Sequence, residues 1–193
     1  MADMALRLGG IVLIVGAALL GAAIVLVSFV PVVNRPFPQH ISLLFLLAAI
    51  LLLLSLPAMY ARQAQAAGWL GLTGHTLLQT GILLLVLVAA PPLLYPSRNL
   101  ILSDNILFFL LGIALTVGLL LTGVATIRAG VYPRGAGIVL LAATVGFFFD
   151  FFVAEYLPRV VGQIGSAFFG VLLGLALAWI GVALWMSKSA LAL

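Results

Sequence analysis

Apolar residues fall into six long runs separated by short polar or proline-containing breaks. The pattern predicts helices near 5–33, 41–60, 69–95, 106–128, 136–157 and 163–187. A membrane-crossing helix needs about 20 apolar residues, because the hydrocarbon core is ~30 Å thick and a helix rises ~1.5 Å per residue. The breaks carry residues that end helices: Asn34-Arg35-Pro36-Phe37-Pro38-Gln39 after the first run, Pro91-Pro92 and Tyr95-Pro96-Ser97-Arg98 after the third, and Tyr132-Pro133-Arg134-Gly135 after the fourth. A barrel would require period-two alternation, which is absent, and an open sheet would expose unsatisfied backbone to lipid. The expected fold is all-α, a polytopic transmembrane helix bundle of six spans arranged as three helical hairpins. It forms a single transmembrane domain over residues 1–193.

Composition agrees with that reading. Hydrophobic residues make up 66% of the chain and charged residues 6%, against roughly 45–50% apolar in a soluble domain. The first run, preceded by Arg7, continues to about Val33, longer than the ~7–15 apolar residues of a secretory signal, so it reads as a permanent span. With no cysteine, disulfides, iron–sulfur clusters, thiol relays and Cys-ligated zinc are excluded.

The net charge of +4 comes from basic residues scattered singly. That spacing fits topology anchors and excludes a nucleic-acid surface. Six spans place both termini on one side, which collects Arg7, Arg62, Arg128, Arg134 and Lys188 against Arg35, Arg98 and Arg159 on the other. The excess predicts cytoplasmic termini. Tyr60, Trp69, Tyr95, Tyr132, Tyr156 and Trp185 lie near span ends, where an interfacial aromatic belt is expected.

Helices in lipid associate through close approach of small residues rather than apolar burial. Gly162, Ser166, Gly170, Gly174 and Ala178 form such a stripe on the last span, and Gly118, Thr122, Thr126 and Gly130 on the fourth. Both read as packing faces.

Asp150 stands alone inside Phe147-Phe148-Phe149-Asp150-Phe151-Phe152. Exposed to lipid while ionised it would cost roughly 2.5–3.5 kcal/mol. Gly146, Ala143 and Ala154 share its face, so it is expected to point inward, with Ser166 or Thr116 as hydrogen-bond partner and its carboxyl pKa raised by burial. Either structural polar pairing or contact with a proton, cation or ligand fits this placement. Glu155 precedes Arg159 at the spacing of a helical ion pair and reads as an interfacial anchor. His75 and Gln79, one turn apart on the third span, form a second polar pair that can satisfy itself or hold a polar ligand edge. His40 falls in the opposite connection, so the two histidines cannot bracket one haem, and no zinc spacing occurs. A phosphate-cradling glycine loop followed by lysine, a mid-membrane lysine and a placed nucleophile–base pair are all missing, so no enzyme is expected.

Tyr60-Ala61-Arg62-Gln63 with Gly68-Trp69-Leu70-Gly71-Leu72-Thr73-Gly74, and Arg128-Ala129-Gly130-Val131-Tyr132-Pro133-Arg134-Gly135-Ala136-Gly137, resemble turns of uncharacterised small bacterial integral membrane proteins. The resemblance covers two turns and the helix starts after them. It implies six spans in a bacterial cytoplasmic membrane and no particular activity.

Three roles are therefore expected. The first is a non-enzymatic structural or accessory component associating with itself as a homo-oligomer, with membrane lipid, or with a larger membrane complex. The second is a small transporter or channel, proton-coupled through Asp150. The third is an intramembrane binder of an apolar cofactor or lipid-like ligand oriented by His75 or Asp150, although no particular cofactor is implied.

Overall fold

A computed structural model describes residues 2–30, 38–94, 106–152 and 158–186, without the side chains of Ala2, Asp3 and Asp150. The described residues form six helical elements and no strand: α1 (Ala2–Ser28), α2 (Gln39–Ala89), the single turn α3 (Pro91–Leu94), α4 (Ile106–Ala129), α5 (Arg134–Phe152) and α6 (Arg159–Trp185). Four helical stretches, Met4–Ser28, Gln39–Leu94, Ile106–Ala129 and Arg159–Trp185, are long and apolar enough to cross a membrane, rather than the six expected.

The difference has two physical sources. The second and third expected spans are two helical arms with no loop between them, because Ala61-Arg62-Gln63-Ala64-Gln65-Ala66-Ala67 contains strong helix formers and no breaker, so helix continues where a loop was expected. The break comes only at Gly68, with φ 55° and ψ −149°, a region that a side chain strongly disfavours. The fifth run yields only a shorter apolar helix over Arg134–Phe149.

Gly68 reverses the chain. A Cβ on Gly16 would meet Leu51 and Leu52, and one on Gly9 would meet Ala58, so α1 runs antiparallel to the first arm of α2. Beyond Gly68, Gly74 lies against Leu121 and Thr122, and Gly81 against Leu115, so the second arm runs antiparallel to α4. Register carries the same alternation through Gly123 on Leu141 between α4 and α5, Gly146 on Phe169 between α5 and α6, and Gly174 on Ala17 between α6 and α1. The two arms of α2 are therefore themselves antiparallel, and α1 closes the ring by packing on both α2 and α6.

Helix starts and stops follow local chemistry. Pro38 and Pro158, with φ −53° and ψ near 130°, precede α2 and α6, and each carbonyl accepts two amides of the first turn. Gly130, at φ 62°, ends α4, and its amide bonds Thr126 O at 3.3 Å. The middles of the small-residue stripes are spent inside this fold. Gly170 and Gly174 lie on Ile24, Gly21 and Ala17 of α1, while Gly118 lies on the backbone of Leu77 and Leu78. Outward faces are apolar along the helix middles, with Leu54, Val145 and Leu175 all more than half exposed, as lipid allows and water would penalise. Trp69 and Trp185 are exposed near helix ends, in keeping with an aromatic belt.

Candidate functional site

The centre of the bundle is hollow on the side away from Gly68. A cavity of about 170 Å³ is lined from every long helix, by residues such as Leu20, Ser42, Leu115, Phe147 and Leu173. Its size resembles that of the ~150 Å³ apolar cavity able to hold benzene.

Sequence order explains the lining. The Phe-rich end of α5 sends Phe147 and Phe151 to the cavity, and Phe151 stacks on Phe108 of α4 at 4.6 Å between ring centroids with a 24° interplanar angle. Gly112 provides the flat backbone on which the Phe151 ring lies. Phe148 and Phe149, rotated away on the same helix, are exposed. The aromatic run that draws attention to Asp150 in the sequence thus builds one wall of the cavity.

A polar layer lies between the cavity and the Gly68 end. Tyr132, in the turn between α4 and α5, is 2% exposed and donates its phenol hydroxyl to Met59 O at 2.9 Å. The Arg62 guanidinium lies over its ring, 5.8 Å from the centroid, and Nη1 donates to Ala183 O near the end of α6 at 3.3 Å. Gln63 and Thr126 are buried beside them, Thr126 Oγ1 donating to Gln63 Oε1 at 3.5 Å. Burial pushes the Tyr132 phenol above its ordinary pKa, and the positive charge of Arg62 offsets part of that shift. The expectation of Tyr132 as an interfacial ring needs correction: the ring is a buried plug tying α2 to the α4–α5 turn.

The residues singled out in the sequence do not converge. His75 is buried and stacks on Tyr60 at 4.7 Å, where the arms of α2 meet, while Gln79 is half-buried one turn further on. Thr116 Oγ1 is buried without a hydrogen-bond partner, and Ser166 Oγ donates to Gly162 O at 2.8 Å. The backbone of α5 places position 150 level with Gly165 and Ser166 across α6, extending the pairings Gly135 with Trp179 and Gly146 with Phe169. The Asp150 side chain, Glu155, Tyr95, Tyr156, Arg35, Arg98 and Lys188 lie outside the described residues. Among the described residues no group of three or more His, Asp or Glu side chains could hold a metal.

Ser42, Arg62, Gln63 and Tyr132 were not read from the sequence as components of a site. Ser42 occurs at a span start, where a serine ordinarily signals a cap or a back-bonded hydroxyl. No local pattern marks it as cavity-facing. Gln63 carried a better signal, as an uncharged amide in a helix whose neighbours pack in lipid.

Compared with known proteins, the chain matches no family model, no curated protein and no solved structure.

Proposed function

We propose that this protein is a non-enzymatic integral membrane bundle that holds an apolar, lipid-like ligand in its central cavity. The observation that carries the reading is the cavity itself: about 170 Å³, walled by aliphatic side chains and the Phe108, Phe147 and Phe151 rings, with contributions from all five long helices. Apolar pockets with few polar groups are the usual form of a small-molecule site. An ion would find almost no hydration among such walls, which favours ligand holding over conduction. Self-association through the stripes loses its motive, because Gly118, Gly170 and Gly174 already serve contacts within the chain.

The reading is tested by purification in mild detergent, organic extraction and mass spectrometry. An apolar compound is expected from the wild-type protein and not from Leu85→Trp, whose indole would occupy the cavity, with the thermal midpoint retained. Equal recovery from both, or recovery of nothing beyond detergent and bulk lipid, would overturn it.

The same proposal includes six crossings of a bacterial cytoplasmic membrane, with each arm of α2 crossing separately and α5 completing the set. Its support is the antiparallel register on either side of Gly68. Arg7, Arg62, Arg128 and Arg134 gather at the Gly68 end, which makes that end cytoplasmic by the positive-inside rule. Because the chain has no cysteine, single introduced thiols report sidedness cleanly. His40→Cys and Val160→Cys should react with an impermeant maleimide in intact cells, and Ala66→Cys only after lysis. Labelling of Ala66→Cys and His40→Cys from one side would show that the first arm of α2 does not cross.

A further inference from the structure

Among the described residues, the one polar side chain in the cavity wall is Ser42, in the first turn of α2. Its residue is 2% exposed, and its Oγ has no hydrogen-bond partner in the structure. This sets it apart from most hydroxyls in the bundle. Ser28, Thr73, Thr76, Thr80, Thr144 and Ser166 all donate to the carbonyl four residues back, at 2.7–3.0 Å. The corresponding acceptor for Ser42 is Pro38 O, which already receives the amides of Ile41 at 2.9 Å and Ser42 at 3.1 Å. Thr116 Oγ1 and Thr122 Oγ1 are also buried and unpartnered, but neither residue lines the cavity.

An unpaired hydroxyl surrounded by hydrocarbon is costly, by ~1–3 kcal/mol on protein mutational scales. A ligand that supplied a matching oxygen would remove that cost and gain orientation from it. From these observations, and resting on the ligand-holding reading above, we infer that Ser42 is the specificity-determining contact of the cavity. It selects a ring-sized apolar molecule or moiety carrying a single oxygen function, hydroxyl or carbonyl, over the corresponding hydrocarbon. The aromatic wall formed by Phe108, Phe147 and Phe151 takes the apolar body. Ser42 fixes which end of that body carries the oxygen.

The experiment uses two probes of nearly equal shape, 4-fluorophenol and 4-fluorotoluene, titrated by fluorine NMR into the full chain in one detergent. The ratio of their dissociation constants cancels most of the difference between preparations. Ser42→Thr and Ser42→Val form a matched pair, since threonine keeps the hydroxyl and valine replaces it with a methyl group at similar volume. Wild type and Ser42→Thr should favour the phenol relative to Ser42→Val by about 3–10-fold, the range of one ordinary hydrogen bond. Binding of 4-fluorotoluene should be unchanged or tighter in Ser42→Val. Where the valine variant fails to fold, Ser42→Ala carries the same expectation.

If both probes bind but their affinity ratio is the same with and without the hydroxyl, the inference about Ser42 falls and the cavity reading stands. If neither probe binds, the cavity reading itself falls.

Discussion

Gly118→Ala is expected to lower the midpoint of thermal unfolding in detergent, whereas Gly165→Ala should leave it unchanged or raise it. Helix propensity alone favours alanine over glycine by ~1 kcal/mol at either position. At Gly118 the added Cβ would lie 2.5 Å from the backbone nitrogen of Leu78 and 2.8 Å from its Cα. Backbone cannot swing aside as a side chain can, so α4 and the second arm of α2 must separate along that face. Overpacking of this kind costs ~1–3 kcal/mol, which outweighs the propensity gain toward the upper end and gives a net loss of up to about 2 kcal/mol. That corresponds to several degrees, at roughly 2–4 °C per kcal/mol for a chain of this size. Gly165 has nothing within 4 Å of its Cβ position. A Gly118→Ala protein as stable as the wild type would show that the two helices do not approach this closely.

The other large effect is expected at Tyr132. Truncation to alanine empties a site only 2% exposed and removes the hydrogen bond to Met59 O. Buried aromatic-to-alanine changes cost ~3–5 kcal/mol, while Tyr132→Phe keeps the ring and forfeits only a hydrogen bond, ~0.5–1.5 kcal/mol. The same residue sets a pH dependence. Its folded-state pKa is raised above the ordinary value of 10.0, so above pH 10 the unfolded chain loses the phenol proton while the folded chain keeps it. Its contribution is fully present below pH 10 and declines as pH climbs past it. Tyr132→Phe should flatten that alkaline decline. Equal stability of the alanine and phenylalanine variants would place the ring outside the core, and an unaltered alkaline slope in Tyr132→Phe would remove the phenol from the account.

Within the site, legibility followed range in sequence. Gly130 as the end of α4 was readable, because a glycine between Arg128 and Pro133 states its purpose locally. Gly68 was harder: it lies among helix formers, and only its positive φ reveals it as the reversal. The run around Asp150 drew attention to the carboxylate, whereas the rings of Phe147 and Phe151 on either side line the cavity. Ser42 was invisible, since its unpaired state comes from a carbonyl already occupied by two amides and its place in the cavity from walls contributed by distant helices.

The sequence by itself determined the solvent and the class of structure. Apolar runs of this length and a charge content of 6% leave a helical membrane bundle as the fold in which backbone groups are satisfied within each segment. It also determined which residues were small enough for close contact, because that depends on composition alone. Tertiary structure decided which of those contacts were made, turning Gly118, Gly170 and Gly174 inward and leaving a gap where Phe108, Phe147 and Phe151 meet aliphatic side chains from α1, α2 and α6. A cavity belongs to no segment. It is the volume left when several helices, held apart or together by contacts elsewhere along their lengths, cannot all fill the same centre.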